Sequence, residues 1–143
     1  MAQRGVRDFP LNPRWHAYPD IKSVQAAALE RIAAAARDAI RARSAFHIVL
    51  AGGGTPRGLY VSLRELETDW RAWHIYYGDE RVLAADHPER NSRMAREAWF
   101  DHVPIPPNQI HPMLTEQGLI AAVRDYQSVM ARAGEFDLVL LGL

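Results

Sequence analysis

The sequence contains no cysteine, which excludes disulfides, thiolate metal ligands and a cysteine nucleophile. It also lacks any charge bias, because seventeen Lys and Arg residues balance seventeen Asp and Glu. A chain of zero formal net charge has no general attraction for a polyanion, so nucleic acid is not an expected partner. One small phosphate is not excluded, since one or two cations and a few backbone N–H groups suffice to hold it. Long apolar runs are missing too. No stretch approaches the ~18 apolar residues of a membrane span. The first twenty residues, which include Arg4, Arg7, Asp8, Arg14 and Asp20, hold no apolar run of signal-peptide length. The expectation is a cytoplasmic protein with no membrane partner. Lysine is nearly absent, with Lys22 the single example among the seventeen cations, and we read this as coding bias.

What is present is a composition able to form a core: 143 residues, 48% hydrophobic and 24% charged, enough for one domain over residues 1–143. Arg14 to Tyr18 reads as a short strand ended by Pro19. Asp20 is a candidate N-cap for a long helix, in which Ile21, Val24, Ala28, Ile32, Ala35 and Ala39 recur at three- and four-residue steps. Phe46 to Ala51 is a short apolar strand, followed by the turn Gly52-Gly53-Gly54-Thr55-Pro56 and an amphipathic helix from Arg57. Trp73 to Tyr77 is a second strand, closed by Gly78-Asp79-Glu80-Arg81. A polar loop from Ala85 to Arg90 leads to a helix over Asn91 to His102. Ile110 and His111 form a brief extended piece. Glu116 to Ala133 is a further helix, with Leu119, Ile120, Val123, Tyr126, Val129 and Met130 on its inner side. Phe136 to Leu141 is a third strand.

Strands alternating with helices at this spacing predict an α/β fold: a doubly wound, mostly parallel sheet with helices on both faces. Strands that are apolar throughout fit burial on both faces. In such sheets ligands bind beyond the carboxyl ends of the strands. Attention therefore falls on Gly52–Thr55, on Gly78–Arg81 and on whatever follows Leu141. The last strand has neither a following helix nor an evident neighbour. The expectation is that the fold is incomplete at its C-terminus, and that an uncovered apolar strand promotes self-association.

At the glycine turn the backbone can approach a ligand closely. A helix start offers free N–H groups and a favourable dipole to an anion, and Thr55 adds a hydroxyl. The turn is neither a Walker A loop nor a G-x-G-x-x-G fingerprint. Arg81 is suited to a two-pronged contact with phosphate, and Asp79 to orienting a hydroxyl or a water. The alternative for both is a solvated charged turn. Asn91 or Ser92 reads as the cap of the next helix. No histidine pair has metal-ligand spacing on a helix, and no G-x-S-x-G elbow is present.

Four segments together resemble the 6-phosphogluconolactonase family. LAGGGTPRGLY, Leu50 to Tyr60, is similar to that family's S-G-G-S-T-P-K-G-L-Y loop. YYGDERVL, Tyr76 to Leu83, is similar to its W-G-D-E-R segment. HPERNSRMAREAWFDHVPIP, His87 to Pro106, is similar to its D-S-N-Y-x-M-A-R-E-x-L-L-D-H-V-P-I-P stretch. FDLVLLGL, Phe136 to Leu143, looks like the strand before its active-site loop. The resemblance implies hydrolysis of 6-phospho-D-glucono-1,5-lactone to 6-phosphogluconate, in the pentose phosphate pathway, with no metal or organic cofactor. It implies that Gly53, Gly54, Thr55 and Arg81 contact the substrate, chiefly its phosphate, with Asn91 nearby. The family's proposed base is the histidine of G-x-D-G-H-T-A-S-L-F-P. None of the six histidines here matches it, so the catalytic residue is unknown and is expected beyond Leu143. Gly54 replaces the family's usual serine, and Arg90-Asn91-Ser92 its usual Ser-Asn-Tyr. Two other readings stand beside the lactonase: a non-catalytic sugar-phosphate-binding remnant, and a sugar-phosphate isomerase or deaminase of the same fold.

Overall fold

Two apolar five-residue strands lie side by side and in step, and the rest of the chain is arranged around them. In the computed structural model, residues 12–142 are described. Expectations concerning residues 1–11 and Leu143 fall outside that range. β1, Phe46–Leu50, pairs in parallel with β2, Trp73–Tyr77, from Phe46 opposite Trp73 to Leu50 opposite Tyr77. β3, Leu138–Val139, pairs in parallel with the other edge of β1, opposite Ile48 and Val49. The order is β2-β1-β3, with Ile110 adding one parallel bridge to Ile75 beyond β2.

Alternation along the strands sends side chains to two different layers. Phe46, Ile48, Leu50, Trp73, Ile75 and Tyr77 face one side. There they meet α1 (Ile21–Arg43), α2 (Gly54–Leu63) and α3 (Asn91–Ala98) through Ile32, Ala36, Leu59, Tyr60, Leu63 and Ala95. Val49 and Tyr76 face the opposite side and meet Tyr126 and Val129 of α4, Leu119–Ala133. Helices therefore cover both faces, as the apolar strands predict. No helix among the described residues is long and apolar enough to cross a membrane.

Local chemistry explains where each helix starts and stops. Asp20 caps α1 by accepting from Ser23 N at 2.7 Å. α2 starts at Gly54, earlier than Arg57. Gly53, at φ +101°, makes the turn alone, and Pro56 then falls in the first helical turn, where its missing N–H is harmless. α3 ends at Ala98, short of His102. Trp99 leaves helical geometry to pack against Tyr60, Trp70, Trp73 and Phe100, and a 3-10 turn over Phe100–His102 follows. α4 starts at Leu119 because Gly118, at φ +96°, separates it from the 3-10 turn Thr115–Gln117.

Three expectations need correction. Arg14 to Tyr18 is exposed coil with no strand beside it, and Trp15 is 87% exposed. The third strand is shorter than Phe136–Leu141. Its ladder nonetheless extends through Asp137 N to His47 O and Leu140 N to Val49 O, both 2.9 Å. The inner side of α4 is Ala122, Tyr126 and Val129, whereas Leu119, Ile120, Val123 and Met130 are exposed. Leu119, Val123 and Met130 line an apolar groove of about 400 Å³ with Val82 and Met113.

Candidate functional site

Because Leu50 and Tyr77 end at the same level, the glycine turn and the Gly78–Arg81 loop leave the sheet side by side. Gly78 N continues the ladder to Leu50 O at 3.0 Å. The segment after β3 reaches the same edge. Together they enclose a cleft of about 420 Å³ whose polar lining includes Gly53, Asp79, Arg81 and Asn91. An adjoining hollow of about 220 Å³ is lined by Gly53, Gly54, Arg57, Arg81, Asn91 and Glu89, among others.

Each part of the cleft is held by a specific contact. Tyr60 reaches back from α2, donating its hydroxyl to Ala51 O at 2.6 Å and accepting from Ala51 N at 3.1 Å. Its burial pushes the phenol well above the ordinary tyrosine range, so it stays a neutral strut under the turn. Gly52 leaves no room for a side chain, since a Cβ there would lie 2.1 Å from Asn91 Oδ1. Asn91 donates to Asp79 through Nδ2, at 3.3 Å to both the carbonyl and the carboxylate. Arg81 is exposed, and among the described residues no hydrogen bond engages its guanidinium.

Of the residues expected from the sequence, the structure brings Gly53, Asp79, Arg81 and Asn91 into one cleft and Gly54 into the hollow beside it. Thr55 lies in the first turn of α2 but lines neither space, and its carbonyl accepts from Gln25 Nε2 at 3.0 Å. The cap of α3 comes from elsewhere than expected. Neither Asn91 nor Ser92 caps it; Glu80 does, with Oε1 accepting from Asn91 N at 2.8 Å and Oε2 from Ser92 N at 2.9 Å. A carboxylate suits the positive end of a helix. Burial alone would raise the Glu80 pKa, but N–H groups of Arg81, Ser92 and Asn91 outweigh it and leave the carboxyl below its usual value.

Two cations escaped the sequence reading. Arg57 faces the hollow together with Arg81. The signal was available: it occupies the lysine position of the quoted family loop, one residue after Pro56. Arg90 is 2% exposed beneath the loops and pairs with Glu80. No sequence signal marked it, because one arginine in a charged loop looks like any other. Among the described residues no cluster of three His, Asp or Glu side chains could hold a metal ion. None of the six histidines lines the cleft or the hollow.

A parallel sheet covered by helices on both faces, with an open cleft at its strand ends, defines the α/β class. Residues 19–143 match the family described as glucosamine-6-phosphate isomerases/6-phosphogluconolactonase, and the chain belongs to that family. It is 39% identical over 140 residues to a 6-phosphogluconolactonase of Mycobacterium tuberculosis, covering 88% of this chain and 57% of that one. It is 37% identical over 134 residues to a 6-phosphogluconolactonase of Nostoc, covering 87% and 56%. The crystal structure of a 6-phosphogluconolactonase from Thermotoga maritima superposes with a TM-score of 0.79 at 28% identity, over 83% of this chain and 55% of that one. The three-dimensional structure of a 6-phosphogluconolactonase from Trypanosoma brucei gives 0.78 at 26% identity, over 90% and 58%. The chain thus spans a little over half the length of the relatives it matches.

Proposed function

We propose that this chain holds the phosphate and sugar of 6-phospho-D-glucono-1,5-lactone for hydrolysis to 6-phosphogluconate, as part of a 6-phosphogluconolactonase. The carrying observation is the convergence of Gly53, Arg81 and Asn91 at the carboxyl ends of β1 and β2, in a chain of this family. In this reading the free N–H groups at the start of α2 and the Arg81 guanidinium take the phosphate, with Arg57 as a second cation. Gly54 and Thr55 belong to that helix start. Asn91 and Asp79 orient sugar hydroxyls or water.

The reaction adds water to the lactone carbonyl carbon and breaks the ring C–O bond, and the ring oxygen leaves with a proton. It needs a general base for the water and donors for the oxyanion. No histidine lines the cleft, and in this reading the base comes from outside the residues that form it. Binding and turnover are therefore separate properties. We further propose that residues 1–143 form the N-terminal part of a longer family domain that works in the cytoplasm. We also propose that the outer edge of β3, where Val139 and Leu141 are exposed, supports self-association, which sedimentation velocity over a concentration series would detect.

Calorimetric titration with 6-phosphogluconate tests the site. Binding of 6-phosphogluconate, with none of gluconate, is the expected result. Arg81→Ala should weaken binding about a hundredfold while leaving Tm nearly unchanged, because the side chain is exposed. Equal affinity for gluconate would remove the phosphate from the reading. Ammonia release from glucosamine 6-phosphate would replace the lactonase with the deaminase.

A further inference from the structure

Arg90 is an unusual residue to bury. It ties together two segments, 80–83 and 113–116, through five residues. Nη1 donates to Leu83 O at 3.0 Å, Thr115 Oγ1 at 2.9 Å and Glu116 Oε2 at 3.0 Å, and Nη2 to Met113 O at 2.8 Å. Nε lies 3.1 Å from Glu80 Oε2, an ion pair without hydrogen-bond geometry. The Glu80 side chain is fully buried and takes N–H groups from Arg81, Asn91 and Ser92. Thr115 closes the circuit, since its hydroxyl accepts from Arg90 and donates to Arg81 O at 2.8 Å.

The outcome is specific to two residues of the cleft. The Arg81 backbone is held on both sides, its N–H by Glu80 and its carbonyl by Thr115. The Asn91 backbone is held by the same carboxylate. Stability alone is a poor reason for such a pair, because buried ion pairs seldom outperform apolar residues of similar volume. A rigid support beneath side chains that must meet a ligand is a better one.

We propose that Arg90, Glu80 and Thr115 are positioning residues that set the pose of Arg81 and Asn91 toward the phosphate-bearing ligand. This rests on the binding reading given above. Thr115→Val tests it, because it removes one hydroxyl and leaves the ion pair in place. Affinity for 6-phosphogluconate should fall about tenfold, and Thr115→Ser should restore it. Thr115→Val combined with Arg81→Ala should bind no more weakly than Arg81→Ala alone, since Thr115 acts through Arg81. Losses that multiply in the double variant, or a Thr115→Val chain that binds as the parent does, overturn the proposal. Amide exchange separates this failure from failure of the binding reading. With or without ligand, Thr115→Val should speed exchange at Arg81 and leave the β1 amides unchanged. Unchanged exchange at Arg81 overturns the frame whatever is bound. Normal affinity in Arg81→Ala, with faster exchange at Arg81 in Thr115→Val, sinks the binding site and keeps the frame.

Discussion

At the scale of single residues, the cleft depends on one absent side chain as much as on those present. Gly52 gives Asn91 its place: a Cβ there would overlap Asn91 Oδ1, Cγ and Nδ2 at 2.1, 2.6 and 2.9 Å. These are atoms of a movable side chain, so Gly52→Ala should shift Asn91 and leave the fold largely intact. We expect a loss of stability near the low end of the ~1–3 kcal/mol typical of overpacking, with a clear loss of 6-phosphogluconate affinity. A urea melt and a titration on the same preparation check both. Gly58 plays the equivalent part between helices, where a Cβ would lie 2.1 Å from Gln25 Nε2. Neither constraint could be read from the chain, because a glycine in a turn and one that admits a neighbour look alike in sequence. Arg81, Asp79 and Gly53 were legible because each directly follows an apolar strand, and position in a parallel sheet then does the rest.

At the scale of elements, periodicity located β1, β2 and the long helices well, and failed where a neighbour decided the outcome. The α4 pattern has two apolar stripes, and only one of them meets the sheet. Val129 and Tyr126 are buried, whereas Leu119 and Ile120 are 61% and 71% exposed. Hydrophobicity alone cannot distinguish the two. The α3 cap differs from the local pattern for a similar reason: nearby residues point to Asn91 or Ser92, and a carboxylate eleven positions before Asn91 supplies it. Tyr126 shows what joins α4 to the sheet. Its hydroxyl accepts from Tyr77 N at 2.8 Å and donates to His111 O at 2.9 Å, and burial raises its pKa to about 12. Tyr126→Phe leaves the buried Tyr77 N–H without a partner. The expected loss is about 1–3 kcal/mol, seen as a lower urea midpoint with an unchanged m-value.

At the scale of the whole molecule, the side of the sheet under α4 carries three partly buried histidines, His47, His74 and His111. His47 stacks on His74 with centroids 4.5 Å apart, and Tyr76 stacks on His111 at 4.8 Å. His47 Nδ1 lies 3.2 Å from the Tyr76 hydroxyl. Burial first, and then neighbouring cations, lower all three imidazoles: Arg43 and His111 for His47, His47 for His74, and His74 and Arg132 for His111. Asp137, which also pairs with Arg43, partly offsets this at His47. When folding lowers a histidine pKa, the unfolded chain binds more protons near and below its own pKa of about 6.5. Stability is then full above that pH and falls as the pH drops through the folded values. We expect a lower Tm at pH 5 than at pH 7.5, and a smaller difference in His47→Gln/His74→Gln; a flat Tm across that range would contradict it. The strand order has a consequence of another kind. β1 is central, yet its two partners arrive at very different times during synthesis. β2 follows within about thirty positions, while His47 meets Asp137 across ninety. Until those ninety residues have been made, one long edge of the central strand stands open, and contacts of such separation are slow to form. Between the synthesis of β1 and that of β3, a nascent chain of this protein is therefore most prone to mispairing along that edge.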